Sequence, residues 1–451
     1  MSTQEGEIQF VDQTIRDGQQ SLWGHLMTTD MILPIAPVMD QVGYRRICVV
    51  GARGAVVARR ALHENIFERY RLLTKKITKT PLRSSFVTWS PASFNVEHVA
   101  TMELWIKCAV SCGVRSFWFV MYQNLRDRER YLCRVAKKEG ADIAGAIMFQ
   151  LSPVHTDELW AKKTREMVKN CDVDVIQLED TAGTLTPERT RTLIEAIRKE
   201  AKGIPIEFHT HCTAGVAPVC YVEAMKTGLR IVHTAVSPLA NGPSLPSTEN
   251  TINNAHRLGF TTNLDMEALK AESDHFRRVA EERGLPLGVP VEYDLSAYWH
   301  QIPGGMMGTM KNQMAEIGQE HRMEEVLEEV GRVRHELGYP VMATPFSQFV
   351  GAQALFNVTS GERYKIVSDE IIRYVLGHYG EPDGKVDPDV RDKILSSAKA
   401  RKWLNWKEPE VTVEDLRKLE PQLSDEELML KIINPEGEFK DKLWKLYGWT
   451  F

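Results

Sequence analysis

The segment Phe208-His209-Thr210-His211-Cys212 carries two imidazoles at alternate positions. On an extended strand, residues i and i+2 project to one side, so His209 and His211 can reach one ion together. A second polar segment, Thr14-Ile15-Arg16-Asp17-Gly18-Gln19-Gln20-Ser21, follows the apolar run IQFV near the N-terminus. If Asp17 is brought beside the histidines, two nitrogens and a carboxylate oxygen, with positions left open, suit a catalytic Zn²⁺, Mn²⁺ or Co²⁺. A pair of strand-end histidines that only hydrogen-bond is the other reading of H-x-H. A third segment, Leu178-Glu179-Asp180-Thr181-Ala182-Gly183, also passes from apolar to acidic to turn residues.

These segments lie far apart in the chain, so the fold must bring their ends to one rim. Eight short runs rich in β-branched and aromatic residues recur along the first part of the sequence: IQFVDQT, RRICVVG, SSFVTW, RSFWFVM, DIAGAIMFQ, DVIQLED, PIEFHTH and IVHTAVSPL. Each ends in polar or turn residues and reads as a strand. Between them lie charged segments with helical spacing. One of them, TPERTRTLIEAIRKEAKG, opens on Thr-Pro-Glu and closes on Gly203. Strands and helices alternating eight times predict an α/β fold of the (β/α)₈ TIM-barrel type, with a doubly wound open sheet as its competitor. In a barrel the C-terminal strand ends carry function, and the three polar segments above are such ends. After about residue 262 the strand pattern stops and amphipathic helices such as MEALKAESDHFRRVAEERG take over. The expected organisation is a catalytic barrel over residues 1–262 and a mostly helical domain over 263–451, packed beside the barrel mouth.

The remaining composition narrows the function. The 451 residues carry 56 Lys and Arg against 61 Asp and Glu, a net charge of −5. That balance gives no reason to expect nucleic acid or an anionic membrane as partner. No run of roughly 20 apolar residues predicts a membrane span. The seven cysteines form no C-x-x-C pair, which points to reduced thiols. MSTQEGEIQF has neither a basic nor an apolar leader region, so a cytoplasmic location is expected.

The series IRDGQQSL, SPVHT, QLEDTAGTLTP, FHTHCTAG, VSPLANGPSLPSTEN, HQIPGGM, VRHELGYP, TPFSQFVGAQALFNVTSGERYK and GHYGEPDGKVDPD spans roughly residues 8–395. It resembles the carboxyltransferase subunit of oxaloacetate decarboxylase and the carboxyltransferase domain of pyruvate carboxylase. These belong to a metal-dependent barrel superfamily with isopropylmalate synthase and hydroxymethylglutaryl-CoA lyase. The resemblance implies that Arg16 binds substrate, that Asp17, His209 and His211 ligate the metal, and that Gln20 contacts substrate. It implies that the helical region is a conserved carboxylase domain that completes the mouth and supports a homodimer. It further implies a carboxyl group delivered on biotin by a separate carrier, charged by a biotin carboxylase subunit, and exchanged with a carboxylic or 2-oxo acid. The chemistry is coherent, because a carboxyl group joins or leaves carbon through a carbanion or enolate. A metal and a guanidinium beside the ketone oxygen stabilise that charge. An ion pair between Arg16 and Asp17 is the bland alternative for the arginine.

Four positions depart from the family pattern. Glu179 stands where the family has a lysine that becomes carbamylated and ligates the metal. It is expected either to ligate, directly or through water, or to act as a base. Val87 stands where the third strand carries a substrate-gripping arginine, and Arg83 on the same side of that strand is a partial substitute. Pro243 stands in place of a proton-shuttling threonine and has neither hydroxyl nor N–H. Cys48 replaces a second-strand glutamate. The leading expectation is therefore the carboxyltransferase component of a biotin-dependent system with a non-pyruvate acceptor. A biotin-independent metal-dependent C–C lyase or decarboxylase is the alternative, and loss of the threonine favours it. A non-enzymatic scaffold is the third reading, and the intact Asp17, His209 and His211 argue against it. Ala224-Met225-Lys226 reads as a chance match to half of a biotinylation motif. His155 reads as a helix cap, Met306, Met307 and Met310 as packing, and Trp89 as a residue near the mouth.

Overall fold

In the computed structural model, which describes residues 6–88, 97–121 and 124–449, each of the eight apolar runs forms a strand. They are β1 (Gln9–Asp12), β2 (Arg46–Val49), β3 (Leu82–Val87), β4 (Ser116–Val120), β5 (Asp142–Met148), β6 (Val175–Asp180), β7 (Ile206–Thr210) and β8 (Ile231–Thr234). All pair in parallel, and β1 pairs with both β2 and β8, so the sheet is a closed barrel rather than an open one. Trp89 lies outside the described residues.

Alternation along each strand sorts side chains into two environments. One set faces the surrounding helices and is aliphatic or aromatic. Phe86, Phe117 and Phe119 form a contiguous cluster on β3 and β4, and Phe208 packs edge-on to Tyr221 of the helix Ala217–Lys226, with ring centroids 5.2 Å apart. The other set faces inward and is unusually polar. Arg83 on β3 reaches across to Glu207 on β7 and donates through Nε to Ser116 Oγ at 2.8 Å. Arg46 Nη2 donates to Asp142 Oδ2 at 2.8 Å, and only a small apolar cluster of Val11, Cys48 and Ile231 fills the remainder at this level.

The helix Met266–Arg283 lies on the barrel wall. Tyr44 donates its hydroxyl proton to Glu272 Oε2 at 2.9 Å, and His275 Nε2 meets the Met31 carbonyl at 2.8 Å. This helix therefore packs against the barrel. The helices Met323–Glu336 and Phe346–Ser360 form the centre of the second domain. It is tied to the mouth where the chain leaves β5: Leu151 N–H donates to Gln301 Oε1 at 3.0 Å, and Gln150 donates to the Tyr339 carbonyl at 2.7 Å. The tail returns along the outside of the barrel, where Arg71 pairs with Glu426 at 2.7 Å. His155 is no cap; Thr156 caps the helix Asp157–Cys171, while buried His155 stacks on Trp160 and meets Asp383 at 3.3 Å. Met306, Met307 and Met310 pack against the core. Ala224 and Met225 are fully buried, so the half-motif they belong to is helix interior.

Two local devices aim the rim. After β1 the residues Thr14–Gly18 form a π-helical turn, with the N–H groups of Asp17 and Gly18 both donating to the Gln13 carbonyl at 2.8 and 2.9 Å. Such wide turns are rare and cluster at functional sites. After β6, Gly183 has φ of +69°, and a β-carbon there would lie 2.4 Å from the His211 carbonyl oxygen. Only glycine allows the β6 loop to lie this close to the end of β7. Gly183→Ala is expected to lower stability by about 1–3 kcal/mol, seen as a reduced urea midpoint with unchanged m-value; a wild-type midpoint would disprove the close approach.

Candidate metal centre

Asp17, His209 and His211 meet at the C-terminal rim of the barrel, all three buried. Asp17 Oδ2 lies 3.1 Å from His209 Nε2 and 3.4 Å from His211 Nε2, and the two Nε2 atoms are 3.2 Å apart. A cation bound about 2.1 Å from each of three such atoms needs them roughly 3.0 Å apart in octahedral and about 3.4 Å apart in tetrahedral geometry. The triangle therefore fits a first-row divalent cation, and imidazole with carboxylate is a donor set for Zn²⁺, Mn²⁺ or Co²⁺. Among the described residues this is the one such group of His, Cys, Asp or Glu.

Two of the candidate ligands are held from behind. His211 Nδ1 lies 2.6 Å from the Pro243 carbonyl, which only accepts, so Nδ1 carries a proton and Nε2 is left to point at the centre. Ser21 donates to Asp17 Oδ1 at 2.9 Å. Burial opposes charge on Asp17, but Arg16 and His211 outweigh it and hold the carboxyl well below its ordinary range. Burial pushes the His209 imidazole down to about 3, so it is neutral and able to ligate. Burial also opposes charge on His211, yet the adjacent Asp17 outweighs it and lifts this imidazole above its usual value.

Around the triangle the expected residues divide. Arg16 is brought to it: Nη1 pairs with Asp17, and the guanidinium lies over the Trp118 ring, 4.0 Å from the centroid. Its Nε is buried without a hydrogen-bond partner among the described residues, leaving a donor at the rim. The ion pair and the substrate role are thus compatible. Gln20 sits half-buried on the short helix Gln19–Trp23 that follows the π-turn. Glu179 pairs in register with His209, faces inward and is buried, but its oxygens are not part of the close triangle. Burial pushes its carboxyl up to about 8, with Arg16 opposing and Asp17 reinforcing, and Gln177 donates to Oε2 at 3.1 Å.

Arg83 is not available to grip substrate. It is the second residue of β3, at the end remote from the rim, fully buried and held by Glu207 and Ser116. Sequence reasoning places it on the correct face of the strand, but that face encloses the barrel interior, where a bare guanidinium must find a counter-charge. Sequence reasoning also passes over Ser21, Trp118 and the Pro243 carbonyl. Ser21 lies within the IRDGQQS motif, four residues beyond Asp17, whereas a backbone carbonyl leaves no signal in residue type. All seven cysteines are buried and free. Among the described residues, no helix is long and apolar enough to cross a membrane.

Two family models match the chain: "HMGL-like" over residues 7–275 and "Conserved carboxylase domain" over 297–437. A pyruvate carboxylase subunit from Methanocaldococcus jannaschii is 37% identical over 395 residues, covering 86% of this chain and 68% of that protein. The methylmalonyl-CoA carboxyltransferase 5S subunit of Propionibacterium freudenreichii subsp. shermanii is 30% identical, covering 85% of this chain and 76% of that subunit. The carboxyl transferase domain of Rhizobium etli pyruvate carboxylase, solved with pyruvate, superposes with a TM-score of 0.86 at 23% identity, over 99% of this chain and 79% of that one. The chain belongs to the HMGL-like family, among the carboxyltransferase subunits in which this barrel is followed by the conserved carboxylase domain.

Proposed function

We propose that this protein is the carboxyltransferase component of a biotin-dependent carboxylase or decarboxylase whose acceptor is not pyruvate. One observation carries the reading: Asp17, His209 and His211 converge on a single point at the rim of a barrel shared with carboxyltransferase subunits. A divalent cation held there would supply a Lewis acid to a substrate carbonyl oxygen. Arg16 presents a planar donor to the same rim and stabilises charge that develops on that oxygen as the carbon gains carbanion character. Gln20, on the helix that follows, helps to orient the substrate. Glu179 takes up or returns the proton that the family's threonine handles and Pro243 does not. Biotin arrives on a separate carrier charged by a biotin carboxylase subunit, and the chain works as a homodimer.

The non-pyruvate acceptor is supported by the other half of the mouth. Val87 pairs in register with Val120, and Val120 with Ala146, two places before Met148, which pairs with inward-facing Glu179. Val87, Val120 and Met148 therefore face inward at the ends of three consecutive strands, opposite the charged side. An uncharged group on the acceptor suits this wall better than a second carboxylate. A biotin-independent C–C lyase or decarboxylase is the second reading, favoured by Pro243.

A pull-down with the intact protein separates the two: a biotinylated carrier retained on it supports the first, and turnover of a 2-oxo acid with no such partner supports the second. Oxaloacetate turnover is expected about two to three decades below an ordinary rate of roughly 10 per second. A rate at that ordinary level would show that Val87 does not stand where a guanidinium is missing. Elemental analysis is expected to find one divalent ion per wild-type chain and none in the folded His209→Ala/His211→Ala double variant. Glu179→Gln is expected to keep the metal while turnover falls by about two to four decades. Loss of metal would make Glu179 a ligand, and normal turnover would remove it from the site.

A further inference from the structure

Behind His209 a chain of polar side chains runs down the barrel axis. His209 turns Nε2 to the metal point and Nδ1 inward, where it lies 3.2 Å from His233 Nδ1 on β8. His233 Nε2 lies 3.0 Å from Glu207 Oε2, and Glu207 is paired with Arg83. All four side chains are fully buried, so no solvent can substitute for a missing partner. We propose that His233 and Glu207 are positioning residues that fix the tautomer and ring orientation of His209 and so set the affinity of the metal site. The inference rests on the metal site proposed above.

The order of protons follows from the contacts. With Nε2 of His209 directed to a bound cation, its lone pair would be committed there and the His209 proton would reside on Nδ1. Nδ1–H faces His233 Nδ1, which must then offer its lone pair. The proton of His233 accordingly sits on Nε2 and is donated to the Glu207 carboxylate, kept ionised by Arg83. Gln13 Nε2 lies 2.8 Å from the same His233 Nδ1 and 3.2 Å from Cys48 Sγ, so the Gln13 amide shares with His209 the one lone pair that His233 Nδ1 offers. A reversed Gln13 amide would require a proton on His233 Nδ1 and take away the acceptor His209 needs. Arg83 and Glu207 thereby gain a role that packing alone does not assign, since an aliphatic interior would fill the barrel as well. Ligand histidines elsewhere are commonly oriented through a carboxylate, and losing such a partner typically costs about 10- to 100-fold in metal affinity. Here a second imidazole is interposed between carboxylate and ligand.

The test is competitive Zn²⁺ titration of the full chain, wild type against His233→Phe and His233→Asn, with folding checked by thermal melting. Phenylalanine keeps a ring and removes the acceptor; asparagine keeps an oxygen near the Nδ1 position. His233→Phe is expected to bind Zn²⁺ about 10- to 100-fold more weakly, with His233→Asn recovering most of the loss. Long-range ¹H–¹⁵N spectra of the zinc-loaded wild type, labelled on histidine, provide a readout independent of whether the variants fold. They should show His209 protonated at Nδ1 and His233 at Nε2. Equal zinc affinity in wild type and His233→Phe, or a proton on His233 Nδ1, would overturn the inference while leaving the metal site intact. Failure of the wild type itself to bind zinc or manganese would instead remove the metal reading on which it stands.

Discussion

A closed parallel barrel gives its inward side chains no partners except one another. Once β1 pairs with β8, every second residue of eight strands is sealed into one column, and any charge placed there must be answered there. Arg83 and Glu207 meet this condition across the full width of the barrel, from β3 to β7. Burial opposes a charge on Glu207, but Arg83 outweighs it and keeps the carboxylate ionised far below its usual range. The carboxylate then has capacity left for His233, and through His233 the buried column touches the rim. The site therefore depends on an ion pair that lies well below it.

At the rim the same constraint divides the mouth into two sides. The charged and ligating residues come from β1, β6 and β7 and the turns after them, whereas β3, β4 and β5 end in Val87, Val120 and Met148. Charge is confined to the half where it can be neutralised: Arg16 and the histidines answer Asp17, and Arg16 also lies over Trp118. Among the described residues Glu179 borders this half without a direct ion pair, and burial raises its carboxyl. Proline at position 243 fits the same picture. It brings no hydroxyl to the rim, yet its carbonyl orients His211, a task any residue performs if the backbone passes at the right place.

The relatives place this division in context. The chain shares its barrel and its conserved carboxylase domain with subunits named for pyruvate and for methylmalonyl-CoA. A cation held by this candidate triangle would engage a carbonyl oxygen alone, whatever the size of the acceptor. Val87, Val120 and Met148 form the apolar side of the mouth. A scaffold of this kind changes substrate by changing strand-end residues while the ligands stay fixed.

The sequence by itself determined the strands, their number and the candidate ligand pair His209 and His211. Short runs rich in β-branched and aromatic residues, helical spacing between them and the H-x-H repeat are local signals, set by bonding within a few residues. Asp17 was drawn to the histidines by its place after the first strand, and the resemblance then added Arg16 and Gln20. Three matters were decided only by tertiary structure. Arg83 left the proposed site, because parity places a side chain on a face but not at a height in the barrel. The helix Met266–Arg283 came to pack against the barrel, because an amphipathic pattern shows that a face is buried and not what buries it. The His209–His233–Glu207–Arg83 column exists only in three dimensions. Its members come from β3, β7 and β8, separated by as many as 150 residues (Arg83 to His233), and nothing local in the sequence couples them. They meet because closing the sheet brings polar residues of three separate strands within reach of one another.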